Sequence, residues 1–195
     1  MSTAIIFWAL VVIVLIYAVV VYNALVNLKH NVAKAWSNID VLLKQRHDEL
    51  PKLVETCRQY KEFEQATLQK VTEARSRVQA ASQSQDIPAL GLAEGALRAG
   101  LGQIFAVVEA YPELRANEQF NQLMARITGL EEAIADRREF YNESVNIHNV
   151  RIEQFPDNLV ARLFGFLPKA LLTFAADDLK DVDVKALFRG EGAAS

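Results

Sequence analysis

An all-α chain is predicted, in which one N-terminal transmembrane helix leads into an antiparallel bundle of long helices with coiled-coil-like packing. Three observations carry that expectation. Ala4 to Val21 is an uninterrupted apolar run without charge, Pro or Gly. Downstream, apolar residues recur at alternating steps of three and four over many turns, and no stretch alternates apolar and polar as a strand would. Glycine and proline, 8 and 5 in the 195-residue chain, gather in a few places that punctuate long helices.

The N-terminal run comes first. About 18 to 20 apolar residues suffice to cross the hydrocarbon core as a helix. A cleaved signal peptide would need a basic start and a small-x-small site, and Met1-Ser2-Thr3 and Ala18-Val19-Val20-Val21 supply neither. A soluble core helix would need apolar neighbours on every side, which the amphipathic remainder hardly provides. No cation precedes the span, whereas Lys29, Lys34, Lys44 and Arg46 follow it. The positive-inside rule then expects a single-pass protein in the cell membrane, N-terminus outside and helical body cytoplasmic.

The first seam runs Leu25, Leu28, Val32, Ala35, Ile39, Leu42, and its phase continues through Arg46 to Leu53, Cys57, Tyr60, Thr67, Val71, Ala74 and Val78. Pro51 decides its topology, because it disfavours helical geometry at Leu50. A hairpin breaking near Asp48 would leave the last long helix descending far past the membrane end of its partner, at about 1.5 Å per residue. A kinked but continuous rod to about Ala81 is therefore expected. A second seam joins Leu97, Leu101, Ile104 and Val108, in a helix whose start is marked by Asp86 before Ile87-Pro88. A third, starting at Tyr111-Pro112-Glu113, joins Phe120, Leu123, Ile127, Leu130, Ile134, Tyr141, Val145, His148, Ile152 and Phe155. After it, Leu163-Phe164-Gly165-Phe166-Leu167 is too apolar to stand bare in water. It either folds back onto the bundle or meets a partner, a second copy or lipid. The domain reading is an anchor at 1–22, a helical bundle at 23–169 and a tail at 170–195.

Charge and chemistry narrow the function classes. Net charge is −3 with both signs interleaved, which argues against a nucleic-acid surface. Cys57 is the single cysteine, so no disulfide framework exists, and a lone thiol on an apolar seam reads as a small core residue. His30, His47 and His148 stand apart, and His47-Asp48-Glu49 lacks the H-E-x-x-H spacing that puts two ligands on one helix face. The glycines at 91, 95, 100 and 102 lack the strand and G-K-[ST] ending of a phosphate loop, and no G-x-S-x-G elbow occurs. No catalytic, cofactor or metal site is expected.

The stretch YNALVNLKHNVAKAWSNIDVLLKQRHDELPKLVETCRQYK, Tyr22 to Lys61, resembles the signature of the LemA family. That pattern holds Y-N-x-L-V, then A-W-S-N-I-D-V-x-L-K-x-R-H-D, a proline, and L-V-E-T. Tyr-Pro-Glu-Leu-Arg-Ala-Asn-Glu at 111–118, Arg-x-x-Tyr-Asn at 138–142 and Phe-Pro-Asp-Asn-Leu before Leu-Phe-Gly-Phe extend the likeness over nearly the whole chain. The resemblance implies a small antiparallel bundle and no established enzymatic activity. Family members include a magnetosome-membrane relative and are often encoded beside membrane metalloproteases, which implies roles in membrane organisation or quality control.

Polar residues that fall on or beside the seams are the remaining candidates. Arg46 and Arg137 are read at seam positions where a hydrophobe is expected, and with carboxylate partners they could fix register. Asn31, Asn38 and Gln45 share one stripe at spacing seven, read first as a solvated face. Asn38, Asp40, Arg46, Arg137, Tyr141 and Asn142 match positions of the LemA pattern, which implies a structural polar layer. Leu163, Phe164, Phe166 and Leu167 form a possible interaction surface. The expected function is a non-catalytic, membrane-anchored interaction or scaffold protein, with lipid, a second copy or a membrane protein as partners and no nucleic acid. The alternative is an accessory or regulatory subunit of a membrane metalloprotease or other membrane enzyme.

Overall fold

The structure, a computed structural model, describes residues 2–60 and 64–174. Among these residues the chain forms six helices in the order α1 (Ser2–Arg58), α2 (Gln65–Ser84), α3 (Ile87–Val108), α4 (Pro112–Arg115), α5 (Glu118–Glu153) and α6 (Asp157–Leu163), and no strand. The all-α expectation holds. Residues 175–195, most of the expected tail, lie outside the described residues. The described residues fall into two compact units that share the long helices: 2–43 with 130–171, and 44–60 and 64–129 with 172–174.

In the first unit α1 and α5 run antiparallel. Val21 and Leu25 pack with Ile152, and the Trp36 ring meets Tyr141 edge-on, centroids 5.9 Å apart. Between these contacts Val32, Ala35, Val145 and His148 are buried, and Ile39 is buried just beyond Trp36. Each buried Val, Leu or Ile side chain contributes roughly 1.5–3 kcal/mol by leaving water. Below Val21 the same helix changes character, because Ile5, Phe7, Trp8, Leu10, Ile13 and Leu15 all stand exposed. This stretch is long and apolar enough to cross a membrane and is almost wholly uncovered by the rest of the chain. It is therefore no soluble core helix.

Beyond Gly165, whose φ of +68° ends α6 in a conformation that favours glycine, the chain is extended and returns along α5. His148 Nε2 meets the carbonyl of Leu167 at 3.1 Å. The Asn149 amide donates to the carbonyl of Lys169 at 2.9 Å and accepts its N–H at 2.8 Å. Tyr141 Oη donates to the carbonyl of Ala170 at 3.0 Å. Four side-chain bonds thus replace the ladder that a lone extended segment lacks.

The second unit takes up α1 at Lys44, ahead of Pro51. The helix continues through that residue. It ends at Arg58, and α2 returns antiparallel to it, with Leu50, Val54 and Arg58 lining one shallow groove with Val71, Thr72 and Arg75. The expected rod to Ala81 is therefore replaced by a hairpin. Its reversal lies after Cys57, whose carbonyl accepts the Tyr60 N–H in a tight turn. The seam assigned to a continuing helix is real, because Thr67, Val71, Ala74 and Val78 are buried, with Leu68 beside them. They face the core from a returning helix.

Gln85, at φ 54°, closes α2 with its N–H on the carbonyls of Ala81 and Ser82. Asp86 then caps α3 by accepting the Ala89 N–H at 3.0 Å, with Pro88 in the first turn, as the sequence indicated. Gly100 lets α3 approach α2, since a Cβ there would lie 2.8 Å from Val71 Cγ2. The helix expected to start at Pro112 is split. After the single turn of α4, Asn117 accepts the Phe120 N–H at 3.0 Å and starts α5 afresh, while its amide donates to Tyr60 Oη at 3.3 Å.

Candidate functional site

Arg46 is the largest fully buried side chain, 1 % exposed. The steps Ile39, Leu43, Arg46, Leu50, Leu53 carry it to the inside of α1, with Leu43 buried where the seam had Leu42, which is half-buried. Its Nη2 pairs with Glu94 Oε1 of α3, whose side chain is equally buried. A buried charge persists only when paired, so each residue holds the other ionised. Glu94 was missed, although continuing the second seam back from Leu97 by three residues reaches it.

At the next residue of α1, Arg75 of α2 donates from Nε to the main-chain carbonyl of His47 at 2.9 Å. Its Nη2 lies 2.6 Å from His47 Nε2. Burial, followed by the neighbouring guanidinium, holds the imidazole below its ordinary 6.5, against an opposing pull from Asp48. His47 therefore accepts from Arg75 as a neutral ring. Cys57 is buried, and burial pushes its thiol up to about 12, so thiolate chemistry is suppressed. Among the described residues no three His, Cys, Asp or Glu side chains gather as metal ligands.

The other proposed polar positions divide. Tyr141 is buried against Trp36, and burial raises its phenol above the ordinary range. Asp40 and Asn142 are half-buried, while Asn38, like Asn31 and Gln45, faces solvent. Arg137 is exposed, and the step of four from Ile134 leads to half-buried Arg138. The half-buried arginine beside the seam is thus Arg138 and not the expected Arg137, because a step of three and a step of four fit a single missing hydrophobe equally well. Leu130, half-buried, lies at the edge of the same seam.

A second polar cluster, unforeseen in the sequence, sits on α6. Asp157 is buried, pairs with Arg151, and accepts Tyr17 Oη at 2.9 Å. Val160 and Ala161 of the same helix pack on Val21 and Leu25, with Ala18 and Phe166 beside them. Tyr22 holds the rings of Phe164 and Phe166 at 4.7 and 6.0 Å. Of the four proposed surface residues Phe166 is thus half-buried, whereas Leu163, Phe164 and Leu167 are 78, 55 and 71 % exposed. Phe155 and Leu159, 80 and 59 % exposed, extend that surface.

The sequence model of the LemA family matches residues 35–186. Magnetosome protein MamQ 2 of Paramagnetospirillum magneticum is 35 % identical over 74 residues, 38 % of this chain and 27 % of that protein. Magnetosome protein MamQ of Magnetospirillum gryphiswaldense is 24 % identical over 168 residues, covering 74 and 62 % of the two chains. Protein LemA of Metamycoplasma hominis is 29 % identical over 163 residues, covering 83 and 72 %. The match with MamQ 2 thus spans about a quarter of that relative's length.

Proposed function

Because the chain belongs to the LemA family, we propose that it is a membrane-anchored helical scaffold, one that presents an interaction surface near the bilayer and performs no chemistry of its own. The observation that carries this reading is the continuity of α1. One unbroken helix bears exposed apolar residues from Ile5 to Val20 and, further on, the buried seam of the helical body. Such a helix anchors the body without a flexible joint. The cations Lys29 and Lys34 support a cytoplasmic body. The name of the magnetosome relatives, carried across, supports a role in membrane organisation.

The test has two parts. A reporter fused after Ser195 is expected in the cytosol, and a cysteine replacing Ser2 is expected to react with an impermeant reagent outside. Native mass spectrometry and crosslinking of the full chain in mild detergent and in native membranes should give a defined oligomer or a recurrent partner. A monomer without partners in both settings overturns the scaffold reading.

A further inference from the structure

We propose that α6 and the segment around it form an interfacial membrane element, whose apolar side chains Phe155, Leu159, Leu163, Phe164 and Leu167 enter the bilayer surface beside the anchor. This rests on α1 spanning the membrane. Depth is the first argument. Tyr17, Ala18 and Val21 lie in the last turns of the apolar run, and they hold α6 through Asp157, Val160 and Ala161. The opposite face of α6 is then level with the membrane boundary, where an amphipathic helix buries its apolar side ~5–10 Å deep.

Polarity is the second argument. Asp157 is turned inward against Arg151 and Tyr17, which leaves the outward face of α6 with Leu159, Leu163 and the cation Arg162. Lys169 is a further exposed cation in the segment and Glu153 its exposed acid. Cations flanking an apolar face suit a surface with anionic headgroups. The third argument is continuity. The Tyr22 ring meets Phe164 at a tilt of 57° and is itself 36 % exposed, and Val20 is 61 % exposed, so uncovered apolar side chains continue from the end of the anchor to the ring that flanks α6. The 18 residues from Ala4 to Val21 rise ~27 Å, slightly less than the ~30 Å hydrocarbon core. An apolar collar at the end of the anchor offsets that mismatch.

The experiment uses the full chain with Cys57→Ser, reconstituted in phosphatidylcholine vesicles containing a minority of phosphatidylglycerol. An environment-sensitive dye is attached at Leu163→Cys or Leu167→Cys, at Leu15→Cys in the anchor, or at exposed Val41→Cys, about 30 Å beyond Val21 along α1. Spin-labelled lipids serve as quenchers, near the headgroup or near the chain end. The dye at 163 and 167 should shift to the blue and be quenched best by the headgroup-proximal label, Leu15 best by the deep label, and Val41 by neither. Water-like, unquenched emission at 163 and 167 with Leu15 quenched would overturn this inference and leave the anchor intact. Blue-shifted emission that no lipid label quenches means that protein, such as a second copy, covers the face, and also overturns it. Loss of quenching at Leu15 overturns the anchor reading itself.

Discussion

Arg75 donates its Nε hydrogen to the main-chain carbonyl of His47 at 2.9 Å, and that carbonyl is the helical acceptor that Pro51, four residues on, has no N–H to satisfy. A proline in a helix interior normally removes one bond and bends the helix at its cost. Here a guanidinium from the neighbouring helix takes the vacated acceptor, so α1 runs through Pro51 and α2 is pinned against it. The helix and the hairpin are parts of one arrangement.

That pairing predicts non-additivity. Arg75→Met should destabilise the protein by about 1.5–3 kcal/mol, the range for a hydrogen bond that involves a charged group. Pro51→Ala restores the N–H to the His47 carbonyl, so in that background the same change should cost measurably less. Guanidinium unfolding in detergent, followed by circular dichroism on the four members of the cycle, gives the coupling directly. Equal costs in both backgrounds would show that Arg75 acts on something other than the proline gap.

The same neighbourhood sets a pH dependence. His47 is held below 6.5 in the folded protein, by burial first and Arg75 second, so the unfolded chain takes up its proton at a higher pH. Stability from this residue is fully present above about 6.5 and declines as pH falls toward the depressed folded value. His47→Gln keeps an acceptor for Arg75 and removes the titration. Its unfolding midpoint should lose less on acidification than the parent's, and parallel profiles would exclude His47 as the cause.

Much of this fold is legible from periodicity. The three seams, the Asp86 cap and the anchor all follow from spacing and from Pro or Asp at helix starts. The hairpin after Arg58 does not, because Lys61-Glu62-Phe63-Glu64 contains no Gly or Pro, and the heptad phase happens to run on across it. A period tells which face is buried and is silent on whether the next helix continues or returns. The polar pairs were half-visible for the same reason. Arg46 stood out against Leu and Ile, whereas its partner Glu94 lies among small residues, and the Arg75 role depends on a backbone acceptor that no side-chain pattern records.

Breaking the Arg46–Glu94 pair on one side should be severe. Arg46→Met leaves Glu94 buried without its cation and is expected to cost about 3–5 kcal/mol. Adding Glu94→Leu should recover most of that loss, since apolar replacement of a whole buried pair is often neutral. Arg137→Met, at an exposed position, should stay within about 0.5 kcal/mol of the parent. If the double variant is as unstable as Arg46→Met alone, the charge pair is not what holds this layer. If it is stable yet changes oligomeric state by native mass spectrometry, the pair specifies assembly.

Ile127 is wholly buried on the α5 seam while Leu130 is half-buried. Ile127→Ala should therefore cost about 2–5 kcal/mol and Leu130→Ala clearly less. Comparable losses in chemical denaturation would place the seam differently.

Two glycines test how the second unit holds its C-terminal residues. A Cβ on Gly91 would lie 2.1 Å from the Thr173 carbonyl oxygen and 3.2 Å from its carbon, whereas one on Gly129 would meet nothing within 4 Å. Main-chain atoms cannot rotate aside as a side-chain tip can. Gly91→Ala must therefore displace the segment that buries Leu172 and places the Phe174 ring 4.6 Å from the Arg98 guanidinium, at about 1–3 kcal/mol. Gly129→Ala, in the interior of α5, should stabilise by up to about 1 kcal/mol through helix propensity alone. A buried probe separates a local from a global effect. With Cys57→Ser and Leu172→Cys, maleimide labelling should be slow in the parent and in Gly129→Ala and fast in Gly91→Ala, with helicity retained in all three. Slow labelling in Gly91→Ala would mean that α3 yields while the segment stays, and the close approach would then not be what seats it.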